Sequence, residues 1–175
     1  TRDEKTGAKI TGISGRKGGL EKEYFNILNL EHLENEDGFK IFVFHSAITE
    51  FKPDFLSEMD SISLSCFPRN FSYYAAGHIH VRFEKEEKGY GHFVFPGPLF
   101  AADFRDLEQL EKQKSGFVIV EFGENGITKC EFIDIDIVRV CVLKYNADNK
   151  TPCEVETDLA KIVDNSKVDE KIVLL

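Results

Sequence analysis

No stretch of this chain approaches the roughly 18 consecutive apolar residues that a membrane-spanning helix requires, and no basic segment leads into an apolar one at its start. A cytoplasmic location is expected on that basis. Cys-x-x-Cys spacing is also absent. Cys66, Cys130, Cys141 and Cys153 stand far apart, which disfavours a zinc knuckle and, without a secretion signal, predicts free, buried thiols rather than bridges. Basic residues are in deficit, 22 against 31 acidic ones, for a formal net charge of −9. That balance argues against holding nucleic acid by bulk electrostatics, which depends on neutralising phosphates with lysine and arginine. It leaves open a protein that meets phosphates through bound divalent ions, since acidic surroundings concentrate cations. Internal repeats and low-complexity segments are missing too. Gly15-Arg16-Lys17-Gly18-Gly19 lacks the Gly-Lys-Ser/Thr ending of a Walker loop, so it reads as a turn into a helix.

What is present is the balance of a folded α/β protein, 42% hydrophobic and 30% charged. Ala8 to Ser14 reads as a short strand closed by Gly15, and Glu21 to about Leu33 as a helix with Tyr24, Ile27, Leu28 and Leu30 on its apolar side. Phe39 to Phe44 and Phe71 to Ala76 are nearly continuous apolar runs, the signature of strands buried on both faces. Val81 to Glu86 and His92 to Phe95 form a hairpin around Lys88-Gly89. After the break at Pro96-Gly97-Pro98, Leu107 to Lys114 suits a short charged helix. Phe117 to Phe122 and Ile127 to Ile133 make a second hairpin, turning at Glu124-Asn125-Gly126.

From about Asp134 the character shifts to alternating Ile135, Ile137, Val138, Val140 and Val142. A helix follows from Pro152 to Val163, its proline placed where a missing N–H costs little, and then a terminal strand. A boundary there divides the chain into 1–134 and 135–175. The polar start at Thr1 to Lys9 and the apolar finish at Ile172 to Leu175 predict a piece of a larger polypeptide, with something missing on each side.

Two of the buried runs deliver histidine at their C-terminal ends: His45 after the first, and Gly77-His78-Ile79-His80 after the second. Ligand sites of layered α/β folds gather at strand C-termini. Imidazole is the commonest metal-ligand side chain, and two histidines one residue apart on a bent turn can face adjacent ions. Gly77 lets the backbone leave the strand without a Cβ in the way. His45, His78 and His80 are therefore the candidate metal ligands. His32, in the helical stretch, and His92, in the hairpin, read as surface or packing residues.

Together His45-Ser46-Ala47, Gly77-His78-Ile79-His80 and Phe95-Pro96-Gly97-Pro98 resemble the last motifs of calcineurin-like metallophosphoesterases, most of all their nuclease branch, the archaeal and bacterial SbcD-type subunits. The resemblance runs from about Ile10 to Glu121 and takes in Ala102-Asp103-Phe104, Asp106-Leu107-Glu108 and Gly116 to Glu121. It implies an α/β (α+β) fold: the C-terminal half of a four-layer α/β/β/α sandwich over 1–134, and the start of a small α/β capping domain over 135–175. It further implies a pair of Mn2+ ions that hydrolyse phosphodiester bonds, with His45 and His78 on one ion and His80 on the other. The family's early motifs, Asp-x-His, Gly-Asp-x-x-Asp and Gly-Asn-His followed by Asp or Glu, do not occur in this chain. They supply the bridging aspartate, an asparagine ligand and the catalytic histidine, so no catalytic residue is expected here and the chain alone is expected to be inactive. His45 is followed by Ser46-Ala47 where many relatives carry Gln-Gly or a glycine.

The partners this resemblance implies are DNA double-strand ends, an SMC-like DNA-repair ATPase and a second copy in a homodimer, in the nucleoid region of a prokaryotic cytoplasm. Arg69, Tyr73, Tyr74, Arg82 and Arg105 are conceivable DNA contacts, although such residues at strand positions more often pack or form solvated faces. Two other readings compete: a phosphoesterase of the same superfamily acting on small phosphodiesters or phosphoproteins, and a non-catalytic interaction fragment.

Overall fold

The computed structural model describes residues 1–16, 20–101 and 103–175. Lys17, Gly18 and Gly19 of the predicted helix-entry turn, and Ala102 of the Ala102-Asp103-Phe104 match, lie outside the described residues. The element order is β1 (Lys9–Gly12), α1 (Glu21–Ile27), α2 (Glu31–Glu34), β2 (Lys40–His45), β3 (Ala47–Ile48), β4 (Ser61–Ile62), β5 (Tyr73–Gly77), β6 (Phe83–Glu86), β7 (His92–Phe95), α3 (Phe104–Lys112), β8 (Gly116–Gly123), β9 (Gly126–Asp134), β10 (Val140–Val142), α4 (Pro152–Asn165) and β11 (Ile172–Leu174). Mixed sheets and helices of this kind make an α+β fold. The chain forms two compact units, residues 1–97 with 116–133, and residues 98–115 with 134–175.

In the first unit a five-stranded sheet runs in the order β1-β2-β5-β7-β6, parallel except for β6, which turns back along β7. Its core is aromatic. The Phe42 ring lies 5.8 to 6.3 Å from those of Phe25, Phe44, Phe67, Phe71 and Tyr74, and Tyr74 stacks on Phe93 at 4.0 Å. Burying each such ring contributes about 1.5–3 kcal/mol.

The expectation of strands buried on both faces is corrected by β2. Lys40, Phe42 and Phe44 are buried, whereas Val43 between the two rings is 43% exposed and His45 is exposed. A continuous apolar run reports affinity for a covered face, not which faces are covered, and here the aromatic core lies on one side only.

The single predicted helix is two. Leu28 leaves helical geometry (φ −66°, ψ 117°), and Phe25, not Tyr24 or Ile27, is the buried anchor; Ile27 is 78% exposed. The break lets Leu28, Leu30 and Leu33 reach the core from a new direction. Lys40 is buried at the start of β2 because its Nζ donates to the carbonyls of Leu33, Glu34 and Glu36, at 2.8, 3.2 and 2.7 Å. The Leu33 carbonyl also accepts from the Glu36 N–H, at 3.2 Å, and the ammonium joins it to the Glu34 and Glu36 carbonyls to close the end of α2. Burial, joined by the charge of Lys9, holds its amine below the usual lysine range.

Both hairpins form where turn chemistry placed them. β6 and β7 pair with Phe83 opposite Phe95, and Gly89 in the turn takes φ +81°. β8 and β9 pair across a turn closed by Gly126 at φ +108°. The cysteines are free, but Cys66, Cys130 and Cys141 are half-buried and Cys153 is exposed, so the expected burial is not met. Among the described residues no helix is long and apolar enough to cross a membrane.

The second unit relies on local rules. The Asp103 carboxylate accepts from the N–H groups of Arg105 and Asp106 and so starts α3 at Phe104, earlier than the expected Leu107. Thr151 and Glu154 form a capping box ahead of α4, with Pro152 in the first turn. β10 and β11 are short and parallel, with Val140 opposite Ile172. The alternating run from Ile135 becomes strand only at Val140–Val142, and Ile137 and Val138 stay exposed.

Candidate metal centre

β2 and β5 lie side by side and parallel, in a register that sets His45 opposite Gly77. Both strands therefore end at the same level, and the His78 turn begins beside the His45 side chain. The two imidazoles have ring centroids 5.3 Å apart with planes at 71°. Two glycines make the slot for the first ring: a Cβ at Gly77 would stand 2.5 Å from His45 Nδ1, and one at Gly15 would stand 3.1 Å from His45 Cβ. The expected turning role of Gly77 is corrected: Gly77 is still paired in β5 and the positive φ falls on His78, so what the glycine does is leave room for His45.

His78 itself sits at φ +82°, a region few non-glycine residues enter, at a cost of about 1–3 kcal/mol. Between His78 and His80, Ile79 is buried in the core and pins the turn. His80 is exposed and His78 half-buried. Burial pulls the His78 imidazole below its usual range; the charge of His45 adds to this, the Glu21 carboxylate opposes it, and His80 adds a smaller push.

Among the described residues the three histidines do not converge as one three-ligand cluster. His45 pairs with His78, and His80 lies within electrostatic reach of His78. Two buried oxygens nearby in sequence or charge, Glu21 Oε2 and Ser46 Oγ, have no hydrogen-bond partner among the described residues. Buried polar atoms are seldom left so, and a carboxylate oxygen without a hydrogen-bond partner, within electrostatic reach of the His78 imidazole, is of a chemistry that fits a divalent cation. Sequence reasoning missed Glu21, because its relevance depends on where α1 packs.

The conceivable DNA contacts separate. Tyr74 is fully buried and its hydroxyl donates to the Pro68 carbonyl at 2.5 Å, which removes it from any surface. Tyr73 is half-buried and stacks on His92, while the guanidiniums of Arg69 and Arg82 lie over the rings of Tyr90 and Phe132 at 5.0 and 3.7 Å. Arg105 is exposed and paired with Asp103 at 3.2 Å. His32 is exposed on α2.

Parallel strands bearing a histidine rim at their C-terminal ends define an α/β ligand-binding layout. No protein-family model matches the chain. Over 101 residues, 55% of its length, it is 34% identical to the DNA double-strand break repair protein Mre11 of Methanopyrus kandleri, covering 21% of that protein. Over 113 residues, 65% of its length, it is 28% identical to the DNA double-strand break repair protein Mre11 of Sulfolobus acidocaldarius, covering 29% of that one. The chain thus matches less than a third of the length of either relative.

Proposed function

We propose that this chain is part of a metal-dependent nuclease that processes DNA double-strand breaks: residues 1–134 the C-terminal half of its nuclease domain, and 135–175 the start of its DNA-capping domain. The observation that carries the reading is the His45–His78 pair at the ends of adjacent parallel strands, 5.3 Å between rings, with His78 held at φ +82°. Strain of that kind persists where surrounding structure imposes it, and it clusters at ligand clamps. Similarity to two archaeal Mre11 proteins supports the substrate class.

In this reading His45 and His78 hold one Mn2+ and His80 a second. Gly15 and Gly77 keep the slot for the His45 ring, and Ile79 fixes the direction in which the flanking histidines leave the turn. When bound, such a pair of ions lowers the pKa of a water nucleophile and neutralises charge developing on the phosphate. Mn2+ favours oxygen-rich surroundings, so three imidazoles are not a complete ligand set. The carboxylate-bearing motifs that would complete it do not occur in this chain, which is therefore inactive alone. The working assembly contains DNA ends, an SMC-like ATPase and a second nuclease copy.

The test is His80→Ala in the complete nuclease, read on one preparation for melting temperature, duplex-end binding and Mn2+-dependent cleavage. Loss of cleavage with folding and DNA binding retained is expected. A destabilised but active enzyme would make His80 a packing residue and reject the reading, as would robust cleavage by these 175 residues alone.

A further inference from the structure

We propose a second metal site, separate from the histidine rim, in which Glu84, His92 and Cys130 bind one divalent ion of the borderline-soft class, Zn2+ or Co2+. The three residues come from β6, β7 and β9 and share no sequence motif. In the β6–β7 register Glu84 faces Val94 and Glu86 faces His92, so Glu84 and His92 are diagonal neighbours on one face of the sheet. That face is opposite the one on which Phe93 and Phe95 enter the core. The β8–β9 hairpin brings Cys130 to the same face, where a cavity of about 120 Å³ is lined by Arg82, Phe83, Glu84, Val94, Val118, Cys130 and Phe132, the Arg82 guanidinium lying over the Phe132 ring.

The distances suit a single small ion. His92 Nε2 lies 3.2 Å from Glu84 Oε2, Cys130 Sγ lies 3.7 Å from the same oxygen, and one ligand atom from each residue falls within 4.8 Å of the others. Tetrahedral zinc, with bonds of about 2.0–2.3 Å, sets its ligand atoms roughly 3.3–3.6 Å apart. One nitrogen, one thiolate sulfur and one carboxylate oxygen form a set that selects zinc-like ions over Mg2+ or Mn2+. The two anionic ligands match the charge of a divalent ion. Tyr73 stacks on the His92 ring, 6.5 Å between centroids with planes at 15°, and orients it. The Glu84 side chain, 61% exposed, gives the ion its way in and leaves a fourth position open to water. Bound there, the ion clips the β8–β9 hairpin to the β6–β7 edge and stabilises the first unit by mass action.

Cobalt(II) tests this on the full chain after chelator treatment. One equivalent should produce a near-ultraviolet thiolate-to-cobalt charge-transfer band with tetrahedral visible bands, both displaced by Zn2+. Cys130→Ser should abolish the charge-transfer band. Glu84→Gln, at an exposed position that spares folding, should weaken Co2+ binding at least as much as the roughly 10-fold lost with an outer-shell partner. The combined H45A, H78A and H80A variant should keep the band, which separates this site from the nuclease reading. Three results overturn the proposal: no charge-transfer band in the wild type, a band that survives Cys130→Ser, or unchanged affinity in Glu84→Gln.

Discussion

Among the described residues, the buried apolar side chains lie in the first unit with one exception, Leu174 in the second. The first unit is organised around interlocked rings centred on Phe42, Tyr74 and Phe93. The second has caps and polar clasps instead: Asp103 on α3, the Thr151–Glu154 box on α4, and Asp158 accepting from the Tyr145 hydroxyl at 3.0 Å and Lys150 at 2.7 Å. Burial of aromatic area is worth several times what a cap or an exposed ion pair supplies. The two units should therefore fail under different substitutions.

Phe42→Ala should have the largest effect. Removing a fully buried ring from the centre of the aromatic cluster should cost about 3–5 kcal/mol, read as a lowered denaturant midpoint. A loss below about 1 kcal/mol would show that the rings are not what holds the first unit. Next comes Lys40→Met, which keeps the apolar stem and removes the ammonium donor from the Glu34 and Glu36 carbonyls, leaving Leu33 only the Glu36 N–H. About 1–3 kcal/mol should be lost, and a neutral result would mean that water reaches those carbonyls. In the second unit Thr151→Ala should cost about 1 kcal/mol, with faster amide exchange confined to α4. Faster exchange in β2 or β5 as well would join the two units into one cooperative block.

Two smaller effects sharpen the contrast within the first unit. Gly77→Ala should shift stability by about 1 kcal/mol or less, because the obstructing atom belongs to a side chain that can move, yet divalent-ion binding at the rim should fall as His45 is displaced. Calorimetric titration with Mn2+, in a preparation where wild type binds, measures this; unchanged affinity would separate the slot from the ion. Val43→Thr should change stability by less than about 0.5 kcal/mol, since the residue is substantially exposed. A large loss in the 175-residue chain would mean that this face of β2 is covered.

Features governed by neighbours in sequence were legible before the structure. Lys88-Gly89 and Glu124-Asn125-Gly126 marked their turns because glycine is the residue that adopts positive φ at low cost, and Pro152 marked the start of α4 because it lacks only an N–H that helices do not use there. The C-terminal placement of His45 and of the Gly77-His78 turn on their strands was readable for the same reason, as apolar runs end where their chemistry changes. Other features needed the tertiary structure. These are the exposure of Val43 between two buried rings, the room that Gly77 leaves for the His45 ring, the burial of Lys40, and the meeting of Glu84, His92 and Cys130. Each depends on which strand lies beside which, and in what register. Local sequence sets the conformation a segment prefers, whereas the covering of a face and the convergence of distant donors arise only when separate segments pack, because burial and strand pairing act between residues that the chain order leaves far apart.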